Sequence, residues 1–181
     1  MSNIFVFHGV EGTPQENWFP WLKVELEKLG QNVFVPQFPT PQGQELEQWL
    51  SAFEQYKDLV NPDTIFVGHS LGGLFMLSLL EKFQVKASFF AASFPGLPGN
   101  EFDDGMRSFA KEFDWPRICQ NSPQNFVFQG SDDPYVSLET ANKLAESLNT
   151  EPRVIQNGGH FNGSAGYTQF PILLEEIKKV L

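Results

Sequence analysis

Short apolar runs rich in β-branched and aromatic residues recur along the chain, each followed by a stretch with helical spacing. This alternation restricts the fold more than any other feature. The runs fall at residues 4–7, 32–35, 64–67, 87–91, 125–129 and 153–156. Several are apolar at consecutive positions, the pattern of strands covered on both faces. Helical stretches are expected over residues 18–29, 44–59, 71–83, 103–113, 138–148 and 170–181. Gly30 can stop the first of these just after Lys28 and Leu29, and Ser137 stands where an N-cap of the fifth belongs. Strict strand–helix alternation demands right-handed crossovers. The expected architecture is therefore three-layer α/β/α, with a mainly parallel sheet of about six strands. Residues 94–100, rich in Pro and Gly, and residues 115–124 read as loops. With 181 residues and no internal repeat, one domain over residues 1–181 is expected.

Composition narrows the function classes. Asp and Glu number 22 against 12 Lys and Arg, a formal charge of −10, and no basic run occurs. Nucleic acid and anionic membranes bind through clustered cations, so neither is an expected partner. One cysteine, Cys119, excludes an internal disulfide and a thiolate metal cluster, and suits a reducing compartment. The first residues lack the basic and long apolar segments of a signal peptide, and no stretch approaches the ~18 apolar residues of a membrane span. The expectation is a cytoplasmic protein, monomeric or weakly dimeric, that uses no metal and no cofactor.

Ligands of a parallel sheet bind beyond the carboxyl ends of its strands, so the chemistry is sought there. After residues 64–67 comes Gly68-His69-Ser70-Leu71-Gly72-Gly73, a G-x-S-x-G pattern between a strand and a helix. So sharp a turn leaves no room for side chains two before and two after the serine. Ser70 then stands at a helix N-terminus, where free N–H groups favour negative charge. The bland alternative is a glycine-rich turn with Ser70 as a helix cap. A serine nucleophile needs a base, and the base needs an orienting acid. The strand at 125–129 leads into Gly130-Ser131-Asp132-Asp133-Pro134, and the strand at 153–156 into Asn157-Gly158-Gly159-His160-Phe161. The order Ser, Asp, His is the one that such an elbow uses. Asp133, directly before Pro134, is the preferred acid, with Asp132 an ordinary turn residue. Asp103 and Asp104, beside Gly105, read as a solvated helix start.

The oxyanion of acyl transfer needs two donors. The backbone N–H of Leu71 is one, and the loop His8-Gly9-Val10-Glu11-Gly12 should provide the other through Val10. His8 and His69 read as packing residues. Trp18, Phe19 and Trp21 read as mostly core, with one or two able to line a pocket. Cys119 has no neighbouring histidine to activate it.

These three motifs resemble those of the α/β-hydrolase superfamily. More narrowly, the chain resembles the small serine hydrolases related to retinoblastoma-binding protein nine, the YdeN-like group. The aromatic stretch Trp18-Phe19-Pro20-Trp21-Leu22 is similar to that group's first helix. The resemblance implies a minimal hydrolase fold that begins at the superfamily's third strand and has no cap domain. It also implies Ser70 as nucleophile, Asp133 as acid and His160 as base. Two departures stand out. The first loop is closer to that of lipases, and the Leu-x-Cys-x-Glu pattern of retinoblastoma binding is absent around Cys119. The expected activity is cleavage of small esters, thioesters or activated amides, which makes a small acyl compound the expected partner. Two rivals remain: a catalytically silent binding protein on the same fold, and a triad that transfers acyl groups to an acceptor other than water.

Overall fold

The computed structural model describes residues 1–181. Its six strands are β1 (Asn3–Phe7), β2 (Asn32–Phe34), β3 (Ile65–His69), β4 (Ala87–Ala91), β5 (Asn125–Gly130) and β6 (Pro152–Ile155). They lie in the order β2-β1-β3-β4-β5-β6, and every pairing is parallel. The chain moves outward from β1 to β2 and then returns to the other side of β1. Strand order therefore reverses between β1 and β3, where Phe7 pairs with Gly68. Loops that leave such a switch point diverge and open a crevice.

Alternation along the central strands divides the core into two layers. Ile4 and Val6 of β1 face one layer with α1 (Phe19–Lys28) and α7 (Pro171–Lys178). Phe5 and Phe7 face the other, with α2 (Leu46–Phe53), α3 (Leu71–Leu80), α5 (Trp115–Asn121) and α6 (Leu138–Ser147). All ten residues of α3 are buried, which explains a sequence that is apolar apart from Ser78. Much of the phenylalanine excess sits in this second layer. Phe5 alone meets the rings of Phe34, Phe53, Tyr56 and Phe66 at 4.9–5.9 Å. Truncating such a ring to alanine costs about 3–5 kcal/mol.

The expected stop signals operate. Gly30, at φ 78°, follows α1, with the Gln31 N–H on the Leu26 carbonyl and the Gly30 N–H on the Glu27 carbonyl. The Ser137 hydroxyl accepts from the Thr140 N–H at 3.1 Å.

Three helical expectations need correction. Residues 44–59 are not one helix, since α2 ends at Phe53 and a 3₁₀ turn follows over Glu54–Leu59. Residues 103–113 shrink to α4 (Asp103–Met106) and a 3₁₀ turn, Arg107–Phe109. Gly105 inside so short a helix gives it little intrinsic stability. Residues 115–124, read as a loop, instead contain α5. Only Ile118 and Asn121 of α5 are buried, too narrow a stripe to register as a period. Its signal was the cap: the Asp114 side chain accepts from the Arg117 N–H at 3.1 Å. Between β4 and β5 the chain forms these short pieces and no cap domain. No helix is long and apolar enough to cross a membrane.

Candidate active site

Ser70 joins β3 to α3 with φ 53° and ψ −122°, a conformation that L-residues rarely adopt. Its backbone is held on both sides. The N–H donates to the Ala91 carbonyl at 2.9 Å, and the carbonyl accepts from the Gly73 N–H and the Ser93 hydroxyl, each at 3.0 Å. All hydrogen bonds of Ser70 run through this backbone. The glycines of the turn are there for contact reasons. A Cβ on Gly72 would lie 2.3 Å from the Phe7 carbonyl oxygen, and one on Gly68 would lie 2.6 Å from the Gly73 backbone.

Asp133 and His160 meet. His160 Nδ1 lies 2.9 Å from Asp133 Oδ2 and 3.1 Å from Oδ1. A carboxylate only accepts, so Nδ1 carries a proton, and in the neutral ring Nε2 then has the lone pair. Asp133 also accepts the N–H groups of Tyr135 and Val136 on Oδ1, and Gln129 Nε2–H on Oδ2 at 3.0 Å. This carboxylate is buried without being left unpaired. The Tyr135 ring stands edge-on to the imidazole at 5.0 Å.

Asp132 is more than a turn residue, since its Oδ1 accepts the Gly159 N–H at 2.8 Å. Asp103 and Asp104 belong to α4, where Asp103 accepts the N–H groups of Gly99 and Asn100 and Asp104 pairs with Arg107. His8 is fully buried. Its Nδ1–H donates to the Gly9 carbonyl at 2.9 Å, and its Nε2 accepts the Phe38 N–H at 3.0 Å. Burial lowers its pKa. His69 is also buried, and its pKa is lowered to about 3, first by burial and then by the nearby His160. Sequence reasoning passed over Gln129. Its signal was a polar side chain directly after the apolar run Phe126–Phe128, at the carboxyl end of the strand.

Ser70, His69 and His160 border a cavity of about 270 Å³ at the carboxyl ends of the strands, lined by the loops after β1, β3, β4, β5 and β6. Phe94, Phe102, Met106 and Val136 give it an apolar wall. Glu11 and Glu16 also border it, the only ordinarily charged side chains of the lining. Burial raises the Glu16 pKa, opposed in part by a hydrogen bond from the Thr13 backbone. In the loop after β1, the Glu11 N–H goes to Gln44 Oε1 at 3.1 Å and the Gly12 N–H to the Gly9 carbonyl at 3.2 Å. Val10 also borders the cavity. Leu71 is the first residue of α3, where N–H groups have no intrahelical acceptor. No cluster of His, Cys, Asp and Glu is placed to hold a metal ion.

Known proteins resemble this chain along nearly its whole length. A family model described as serine hydrolase matches residues 4–179. YdeN of Bacillus subtilis (strain 168) is 30% identical over 183 aligned residues, covering 96% of this chain and 93% of that one. The serine hydrolase RBBP9 of Rattus norvegicus is 25% identical, covering 91% of this chain and 86% of its own. The crystal structure of the ydeN gene product from B. subtilis superposes with a TM-score of 0.91 over 99% of this chain and 98% of that one, at 26% identity. Est1E from Butyrivibrio proteoclasticus shares the fold at a TM-score of 0.72 and 16% identity, over 98% of this chain and 86% of that one. The chain belongs to the serine hydrolase family, within the YdeN- and RBBP9-like group of α/β-hydrolases.

Proposed function

We propose that the protein is a serine esterase acting through Ser70, His160 and Asp133 on small ester, thioester or activated amide substrates. His160 Nε2 takes the Ser70 proton as Oγ bonds to the substrate carbonyl carbon. The resulting oxyanion rests on the N–H groups of Val10 and Leu71. Collapse breaks the bond to the leaving group, which departs with the proton held on His160. Water then attacks the acyl-enzyme, giving its proton to His160, and the second collapse releases the acid and returns that proton to Ser70. Asp133 keeps the imidazole in the required tautomer throughout.

The observation that carries this reading is the Asp133–His160 hydrogen bond together with a positive-φ Ser70 that borders the same cavity as His160. With no cap over it, that cavity suits small or flexible acyl groups. The reading includes no cofactor, a reducing cytoplasmic setting, and a protein that works as a monomer or weak dimer. It is tested by hydrolysis of p-nitrophenyl acetate and butyrate. Ser70→Ala and His160→Ala should each lower kcat at least ~10³-fold. Parental turnover in Ser70→Ala would refute it.

A further inference from the structure

The base is carried on a segment of unusual backbone. Asn157, Gly159 and Phe161 take φ values of 54°, 52° and 50°, alternate residues in the left-handed region. Glycine adopts that region freely, but a phenylalanine there is a steric outlier. Local hydrogen bonding explains little of it. The Phe161 N–H reaches the Gly158 carbonyl at 3.3 Å and the Gly158 N–H reaches the Ile155 carbonyl at 3.2 Å, both long.

Shorter bonds come from other parts of the chain: the Asn157 N–H donates to the Ser131 hydroxyl at 3.0 Å, and three more fall on consecutive residues. Asp132 Oδ1 accepts the Gly159 N–H at 2.8 Å. The His160 carbonyl accepts His69 Nε2–H at 2.8 Å, and the Phe161 carbonyl accepts Trp18 Nε1–H at 2.9 Å. Asp132 follows β5, His69 ends β3, and Trp18 precedes α1. Trp18 and His69 are buried, so losing either donor strands a carbonyl away from water.

His69 bears a further mark of this arrangement. A carbonyl only accepts, so Nε2 must carry the ring proton, which leaves Nδ1 with a lone pair. That Nδ1 is buried and has no hydrogen-bond partner. A side chain present only to fill space would avoid this unpartnered atom. The bond from its other nitrogen to the His160 carbonyl accounts for it.

We propose that Trp18, His69 and Asp132 are positioning residues, a three-point clamp that holds the strained base loop so that His160 stands between Asp133 and Ser70. The kinetic consequence rests on the esterase reading, and the structural consequence does not. Three variants test both. Trp18→Phe keeps a ring and removes only the donor; His69→Leu removes the donor, and His69→Gln supplies an amide donor in its place.

For p-nitrophenyl acetate, Trp18→Phe and His69→Leu should lower kcat about 10–100-fold with KM within about twofold, and His69→Gln should recover most of the loss. Amide hydrogen exchange at Gly159 should speed up in Trp18→Phe and His69→Leu. Unchanged kcat in both donor-deleted proteins would overturn the clamp, as would a His69→Gln enzyme as slow as His69→Leu. A parent that hydrolyses no ester would remove the esterase reading alone. The exchange experiment then decides, and Gly159 exchange equal to the parent's in Trp18→Phe and His69→Leu would overturn the clamp.

Discussion

Asp133 Oδ2 lies 2.9 Å from His160 Nδ1 although 27 residues separate them along the chain. The Asp133 side chain is inaccessible to water, while the imidazole retains 10% exposure. This asymmetry is what the proposed roles require, a base that reaches a substrate and an acid that only orients it. β5 and β6 bring the pair together: they are neighbours in the sheet, and both loops leave from the same end.

Asp133→Asn should lower kcat for p-nitrophenyl esters by about 10²–10⁴-fold. The carboxylate accepts from His160, Gln129 and two backbone N–H groups. An amide in its place turns an NH₂ toward at least one of these donors and weakens the hold on the tautomer. A variant with parental kcat across pH 6–9 would show that the acid is dispensable.

Gly72→Ala should damage folding rather than catalysis alone. The added Cβ would lie 2.3 Å from the Phe7 carbonyl oxygen, and rigid backbone cannot yield as a flexible side chain can. A stability loss of at least ~3 kcal/mol in urea unfolding is expected. An unchanged midpoint would mean that the β1–α3 contact is looser than described.

Stability should fall as pH drops below about 6.5, because His69 and His8 are held neutral by burial. The unfolded chain binds protons on these rings below the usual value of 6.5, whereas folded His69 resists down to about 3. His69 therefore contributes stability at neutral pH that is lost through this window, roughly 1 kcal/mol per pH unit, and His8 adds to the loss in the same direction. Thermal unfolding midpoints from pH 7 to 5 should slope less in His69→Gln than in the parent. Equal slopes would contradict a neutral His69.

Substrate charge should matter. Glu11 and Glu16 border the cavity, no Lys or Arg does, and the chain carries a net charge of −10. A carboxylate-bearing ester should show at least about 10-fold lower kcat/KM than its neutral isostere, with the gap narrowing at high salt. Equal rates at low ionic strength would show that these carboxylates lie too far from the reacting groups to be felt.

The layered fold was legible because its signals are redundant: apolar runs mark β1 and β3, and helical periods agree with the cap residues Gly30 at α1 and Ser137 at α6. Ser70, Asp133 and His160 could be placed because each follows a strand, where a parallel sheet gathers its loops. Helix α5 escaped, since two buried residues make no detectable period and Asp114 looked like any loop aspartate. The partners of the base loop escaped for a different reason. Trp18, His69 and Asp132 act through single hydrogen bonds to backbone atoms up to 143 residues away, and composition and spacing do not encode such pairings.

The most direct test of the central claim is labelling by a fluorophosphonate, which reacts with an activated serine and needs no knowledge of the substrate. The parent should label stoichiometrically, whereas Ser70→Ala and His160→Ala, both folded, should not label. A folded parent that stays unlabelled, or a Ser70→Ala protein that labels as the parent does, would contradict the account.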